Sequence, residues 1–197
     1  MKLIIFDIDG TLCHSRYIDD KCFINAFKKT IGVDISNTDW NTYRHVTDIY
    51  VTKEIITKET RLAANEETIE LIIDSYADEL KKQIDYEESL FTAIPGAKEL
   101  LDFLCDHKAN YFTGIATGGF LKTATYKLQK IGVTLPVENV YNSNDFDSKQ
   151  EMLMSFINRL SVLKAKIEKV VYVGDREYDH IAARELGIDF IGIDFKG

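Results

Sequence analysis

The sequence predicts an α/β fold: a parallel β-sheet covered by helices on both faces, interrupted after its first strand by an all-helical insert. Three observations predict it. Short apolar runs at 2–6, 111–116 and 170–173 end in polar or glycine-rich residues; helical periodicities alternate with such runs over residues 93–197; and residues 14–91 show helical periodicity with no convincing strand. Strands that alternate with helices pair in parallel through right-handed crossovers, and ligands then bind at the carboxyl ends of the strands. The three polar strand ends should converge on that edge.

The elements can be justified in chain order. Leu3-Ile4-Ile5-Phe6 is a buried strand that stops at Asp7. In the insert, Cys22, Phe23, Ala26, Phe27 and Ile31 fit an amphipathic helix stopped by Gly32, and Ile69, Ile72, Ile73, Tyr76, Leu80 and Ile84 fit another. Between them, Trp40, Tyr43, Val46, Ile49, Ile55 and Ile56 suggest one broken helix or two short ones. Pro95-Gly96 precedes a helix with Leu100, Leu101, Leu104 and Cys105. The strand Tyr111 to Ala116 precedes one with Phe120, Leu121, Ala124, Leu128 and Ile131 that ends at Gly132. Val137 to Tyr141 reads as a fourth strand. Ser148-Lys149-Gln150-Glu151 is a capping-box pattern ahead of Met152, Leu153, Phe156, Ile157 and Leu160. The strand Val170 to Val173 runs into Gly174-Asp175. A helix from Glu177 carries Ile181, Ala182 and Leu186 to Gly187, and Phe190 to Ile193 reads as a fifth strand.

Composition excludes several classes. With 197 residues, 45% hydrophobic and 28% charged, the chain has ordinary globular usage and enough length to bury a core, so a disordered chain is excluded. Its 24 basic and 32 acidic side chains give a net charge of −8, which repels nucleic-acid backbones but permits one phosphate held in a pocket. Cys13, Cys22 and Cys105 lack C-x-x-C spacing, so neither a disulfide framework nor a zinc site is expected. His14, His45, His107 and His180 lack metal-ligand spacing too. The four apolar residues before Asp7 are too few for a secretory leader or a membrane span. A cytoplasmic protein with no nucleic-acid or membrane partner is expected, and the oligomeric state is left open.

Four segments carry chemistry. Asp7-Ile8-Asp9-Gly10-Thr11 leaves the first strand, where Asp7 can attack an electrophile and Asp9 can return on the same side to exchange a proton. Aspartate is competent as a nucleophile when its target is phosphorus and a metal neutralises the incoming dianion. Asp175 and Asp179 follow the strand Val170 to Val173 and offer the hard oxygen ligands that Mg²⁺ prefers. As local structure alone, Asp175 would cap a helix and Asp179 would be a first-turn acid, which does not conflict with metal binding. Thr117-Gly118-Gly119 opens a helix with a hydroxyl and exposed N–H groups, an anion cradle or simply a cap. Lys149 starts another helix; without context such a lysine is usually solvated surface.

In this order the four segments resemble the motifs of the haloacid dehalogenase superfamily, and the match spans both ends of the chain. Asp7-Ile8-Asp9-Gly10-Thr11-Leu12 is similar to the first motif, Thr117 to the second, Lys149 to the third, and Asp175 with Asp179 to the fourth. The resemblance implies a Rossmann-like three-layer α/β/α core formed by residues 1–13 and 92–197. Residues 14–91 would form the helical C1 cap of subfamily I, as in phosphoglycolate phosphatase-like and β-phosphoglucomutase-like members. It implies that Asp7 forms an aspartyl-phosphate and that Asp9 is general acid and then base. Mg²⁺ would be held by Asp7, the backbone carbonyl of Asp9, Asp175, and Asp179 directly or through water. Thr117, the Gly118 N–H and Lys149 would bind the phosphoryl oxygens. Related dehalogenases lack the acid two residues after the nucleophile, so Asp9 points to phosphate esters.

The expectation is a Mg²⁺-dependent phosphatase acting on a small phosphorylated metabolite. A sugar phosphomutase of the β-phosphoglucomutase type is the alternative. A non-enzymatic phospho-receiver or metal-binding regulator is the alternative of another class, although a receiver needs neither a lid nor an acid for a leaving alcohol. Arg44, His45, Thr47 and Asp48, at a break between helical stretches, are the polar candidates for a specificity loop, with Arg44, His45 and Asp48 as the expected specificity residues; the alternative is an exposed turn with Thr47 as a helix cap. Arg16 and Tyr17 are expected near a hinge.

Overall fold

The computed structural model describes residues 1–35, 39–162 and 166–193. The chain forms β1 (Lys2–Phe6), β2 (Cys13–His14), α1 (Arg16–Ile31), α2 (Asp48–Glu59), α3 (Glu66–Tyr86) and β3 (Thr92–Ala93). It continues with α4 (Ala97–Asp106), β4 (Tyr111–Ala116), α5 (Leu121–Lys130), β5 (Val140–Tyr141), α6 (Lys149–Val162), β6 (Lys169–Gly174), α7 (Glu177–Glu185) and β7 (Asp189–Gly192). Five strands make one sheet in the order β5-β4-β1-β6-β7, with every pairing parallel. This is the α/β architecture expected.

The period of two along β1 makes the sheet two-sided. Leu3 and Ile5 face a core with Met152, Leu153, Phe156 and Leu160 of α6 and Ala182 and Ala183 of α7. Ile4 and Phe6 face the opposite core, which takes in Leu101 and Leu104 of α4 and Ala124 and Leu128 of α5. That second core runs on without a break into α1, α2 and α3 through Ile18, Phe27, Ile55, Ile72 and Leu80.

Register then decides where the site lies. Phe6 pairs with Ile115 on one side and Val173 on the other. Asp7, the next residue, donates its N–H to the Val173 carbonyl at 2.9 Å. Thr117 and Asp175 each lie two residues past those pairing positions, so three polar strand ends meet on one edge.

Several expectations are corrected. The stretch Val137 to Tyr141 is a strand only at β5, because Pro136 leads into a 3₁₀ turn at Val137–Asn139. The insert was expected to hold no strand, yet His14 of β2 pairs with Thr92 in a two-residue antiparallel ribbon. Such a short ribbon carries no periodicity. Of the four positions expected to face inward on α4, Leu101 and Leu104 do so, while Leu100 and Cys105 are exposed. Thr47 stands at the start of α2 without capping it through its side chain; its hydroxyl donates to the Asp147 carbonyl at 2.7 Å. The break between insert helices is a 3₁₀ turn at Trp40–Thr42 followed by α2. Cys13 and Cys22 are buried free thiols and Cys105 an exposed one. Among the described residues, no helix is long and apolar enough to cross a membrane.

Candidate active site

At the sheet edge, one oxygen each of Asp7, Asp175 and Asp179 lie within 4.8 Å of one another, close enough to share a cation. Each gets there by a different local cause. Asp7 follows the last residue of the central strand. Asp175 is the first residue after β6, its side chain only 1% exposed. Asp179 lies in the first turn of α7, where its carboxylate accepts the N–H of Arg176, the residue that actually precedes the helix, at 3.2 Å.

The glycine of the first motif is required by space and conformation together. Gly10 has φ +86°, a left-handed backbone, and a Cβ there would overlap the Asp175 carboxylate.

Lys149 is no solvated lysine. It is 6% exposed, and its Nζ donates to Asp7 Oδ1 at 2.7 Å, the Ala116 carbonyl at 2.8 Å and the Tyr172 hydroxyl at 2.8 Å. It also pairs with Asp179 Oδ1 at 3.3 Å. Tyr172 donates to Asp179 Oδ1 at 2.8 Å, so one tyrosine braces both the lysine and the acid. Burial pushes Asp7 up to about 6, against the lowering effect of Lys149, while Asp179 and Asp9 add to the rise. Burial alone would lower Lys149, but Asp179 and Asp7 outweigh it and hold the ammonium charged.

The donor set fits a hard divalent cation. Both Asp175 oxygens are buried without a hydrogen-bond partner, and the Arg16 guanidinium is paired with one of them. Three converging carboxylates, one of them with both oxygens free of hydrogen bonds, are the kind of oxygen ligands that Mg²⁺ takes. The Asp9 carboxylate lies outside this trio: its Oδ1 accepts from Lys127 at 2.7 Å and from the Ser15 hydroxyl. Thr117 is buried, and its hydroxyl accepts the Gly119 N–H at 3.1 Å. Helix α5 begins later, after Phe120, so Thr117 does not cap it.

A cavity of about 270 Å³ opens from Asp7 and Asp9, past Gly118 and Gly119, to side chains of α1 and α2. The sequence model of the haloacid dehalogenase-like hydrolases matches residues 4–193. The chain belongs to that family.

Among solved structures, a hydrolase from Pseudomonas syringae is 24% identical, with 99% of this chain covering 88% of that one at a TM-score of 0.68. CbbY from Rhodobacter sphaeroides in complex with phosphate is 18% identical, with 100% of this chain covering 91% of it at a TM-score of 0.69. A predicted phosphoglycolate phosphatase from Haemophilus somnus 129pt is 18% identical, with 98% covering 84% at a TM-score of 0.64. These likenesses show the fold. No curated protein matches the chain.

In this haloacid dehalogenase-like hydrolase the expected specificity residues part company. Thr47 and Asp48 line the cavity. Arg44 is exposed and His45 packs edge-on against Tyr50 at 4.9 Å, and neither lines it. Both fall in the bend ahead of α2, which turns them away. Arg16 reaches Asp175 from the start of α1, while Tyr17 is exposed.

Sequence reasoning missed Lys127, Asp19, Ser15 and Tyr172. Lys127 had a legible signal. Phe120, Thr123, Ala124, Lys127, Leu128 and Ile131 fall at i, i+3, i+4, i+7, i+8 and i+11, so the lysine stands where the helical stripe calls for an apolar residue.

Proposed function

We propose that this hydrolase is a Mg²⁺-dependent phosphatase that cleaves a small phosphate monoester through an aspartyl-phosphate on Asp7. The observation that carries this reading is the position of the Asp7 carboxylate between the Lys149 ammonium and the Asp175 and Asp179 carboxylates. Asp7, the Asp9 carbonyl, Asp175 and Asp179 would hold the cation, which when bound neutralises the repulsion between the attacking carboxylate and the substrate dianion. Lys149, Thr117 and the Gly118 N–H would hold the phosphoryl oxygens. Residues 14–91 are proposed as the cap over a core of 1–13 and 92–197, excluding water once substrate is bound.

In the first step an Asp7 oxygen bonds to phosphorus while the ester P–O bond breaks, and Asp9 gives its proton to the departing alkoxide. In the second, Asp9 takes a proton from water, the hydroxide oxygen bonds to phosphorus, and the bond from phosphorus to Asp7 breaks. Phosphate leaves, Asp7 is again a carboxylate and Asp9 is again protonated.

The far end of the cavity favours a neutral or cationic alcohol over one bearing a carboxylate. Asp19, Asp20 and Asp48 line it beside the rings of Phe23, Trp40 and Tyr76; burial raises all three carboxyls and Asp19 is paired with Lys127, so the end offers a second carboxylate no spare cation. Asp20 is held there by the Trp40 indole N–H at 2.9 Å, and both arginines of the lining, Arg16 and Arg176, are drawn to Asp175.

Phosphate release from p-nitrophenyl phosphate, with and without Mg²⁺, tests the reading. Metal-dependent turnover is expected, abolished in Asp7→Asn and, because no base then remains to take the proton of the attacking water, lowered about 10²- to 10⁴-fold in Asp9→Asn. Full activity in Asp7→Asn would overturn it. A panel of amino-alcohol, sugar and carboxylate-bearing phosphates then reads the leaving-group preference. A sugar phosphate isomerised without phosphate release would select the mutase instead.

A further inference from the structure

We propose that Lys127 is a positioning residue, one that fixes the orientation of the Asp9 carboxylate and makes it depend on how α1 is seated on the core. The inference rests on the acid–base role proposed for Asp9 and extends it to residues outside the four motifs.

Lys127 projects from α5 and is 1% exposed. Its Nζ lies 2.7 Å from Asp9 Oδ1 and 2.7 Å from Asp19 Oδ2, so one ammonium joins the loop after β1 to the first turn of α1. The other Asp19 oxygen accepts the Tyr76 hydroxyl of α3 at 2.5 Å. The Ser15 hydroxyl, at the residue before α1, also donates to Asp9 Oδ1.

Asp9 is therefore gripped on one oxygen only. Two donors occupy Oδ1. Oδ2 takes no hydrogen bond among the described residues, and the residue lines the cavity beside Asp7. Whenever such a carboxyl is protonated while it accepts twice on Oδ1, the proton sits on Oδ2, the atom left for the leaving oxygen. Of the groups that set this orientation, Ser15 adjoins α1 and Asp19 belongs to it. A displacement of α1 takes both away and leaves the carboxylate held by Lys127 alone.

The alternative is that Lys127 merely neutralises two buried acids. The two roles differ in what they do to the substrate. An acid that is present but misdirected slows the departure of a basic alkoxide far more than that of a p-nitrophenolate, which leaves with little protonation. Lost packing slows both alike.

The experiment compares kcat/KM for an alkyl phosphate and for p-nitrophenyl phosphate in matched variants. Lys127→Met alone leaves two partly buried carboxylates facing each other, a change that threatens folding. Lys127→Met combined with Asp19→Asn keeps the net charge of the cluster at −1 and is the informative variant, with its folding checked by thermal melting. Lys127→Arg keeps the charge and a two-pronged donor.

We expect the double variant to lose about 10-fold or more in the alkyl-to-aryl ratio, in the same direction as Asp9→Asn, and Lys127→Arg to recover part of it. Equal losses on the two substrates in the double variant, with a selective loss in Asp9→Asn, would leave Lys127 a structural counter-charge and overturn the proposal. Equal losses in Asp9→Asn itself would instead remove the acid–base role of Asp9, and the positioning role would fall with it.

Discussion

Asp7 is the residue on which the titration behaviour of the site turns. Burial raises its carboxyl to about 6 in the metal-free protein, above the ordinary 3.8. A carboxyl with a raised folded-state value contributes stability in full below about pH 4 and loses it as the pH climbs through 6. The metal-free protein should therefore lose part of its stability between pH 4 and pH 7, and a cation bound to the ionised form should offset that loss. Thermal melting with and without Mg²⁺ checks this: a rise of about 5–10 °C is expected at pH 7.5 with saturating Mg²⁺, and little or none at pH 5. An equal rise at both values would place the cation elsewhere. The acids of this site were legible through their order along the chain, an acid pair after the first strand and another after a later one, since each pair alone also reads as loop acids or helix-end acids. Lys149 was legible only through its place in a motif order, since the type and local context of a lysine do not distinguish a buried ion pair from a solvated side chain. Lys127 and Asp19 were not found because they meet each other 108 residues apart, with Asp9 and Tyr76 as their further partners, and periodicity reports which face a residue occupies but not what opposes it.

Among the elements, the pairing of β4 with α6 is set by one absent side chain. Gly114 sits in β4 with its α-carbon under the Phe156 ring, and a Cβ there would overlap that ring and come within 2.9 Å of the Asn139 carbonyl. Phe156 has little room to yield: it is fully buried and stacked on Tyr141 at 4.5 Å. Gly114→Ala is expected to cost about 1–3 kcal/mol by overpacking, read as a lower urea midpoint at unchanged slope. An unchanged midpoint would mean that α6 can shift without loss, which would also move Lys149 at its first turn. Most helices could be bounded from sequence because glycine or an apolar stripe marks where they stop, as at Gly32 and Gly132. The β2–β3 ribbon and the shortening of β5 could not, because two-residue strands are defined by a partner and not by a pattern.

At the scale of the whole molecule, the helices α1–α3 and the sheet share one apolar cluster and are tied by polar contacts at their margins. Lys53 pairs with Asp147 at 2.8 Å, Lys122 with Glu70 at 2.6 Å and Lys130 with Asp85 at 2.7 Å. These pairs are exposed and worth little singly, so the common core is what holds the two parts together. Trp40, the single tryptophan, lies in the helical part and packs edge-on against Phe23 at 5.7 Å. Its fluorescence and the far-ultraviolet dichroism of the whole chain should report one coincident urea transition. Two separated transitions would show that the helical part unfolds alone. The α/β class and the direction of the sheet were readable from alternating periods. The seamless packing of insert against core was not, because no local pattern encodes which surface an amphipathic face will meet.

The central place of β1 bears on how the protein comes into being. This strand is hydrogen-bonded to segments that begin at residues 111 and 169, so both of its edges are satisfied only once those distant segments are in place. Long-range pairing of this kind slows folding, since loop closure comes before the contacts that reward it. Asp7 and its counter-charges should accordingly be brought into register late during refolding from denaturant.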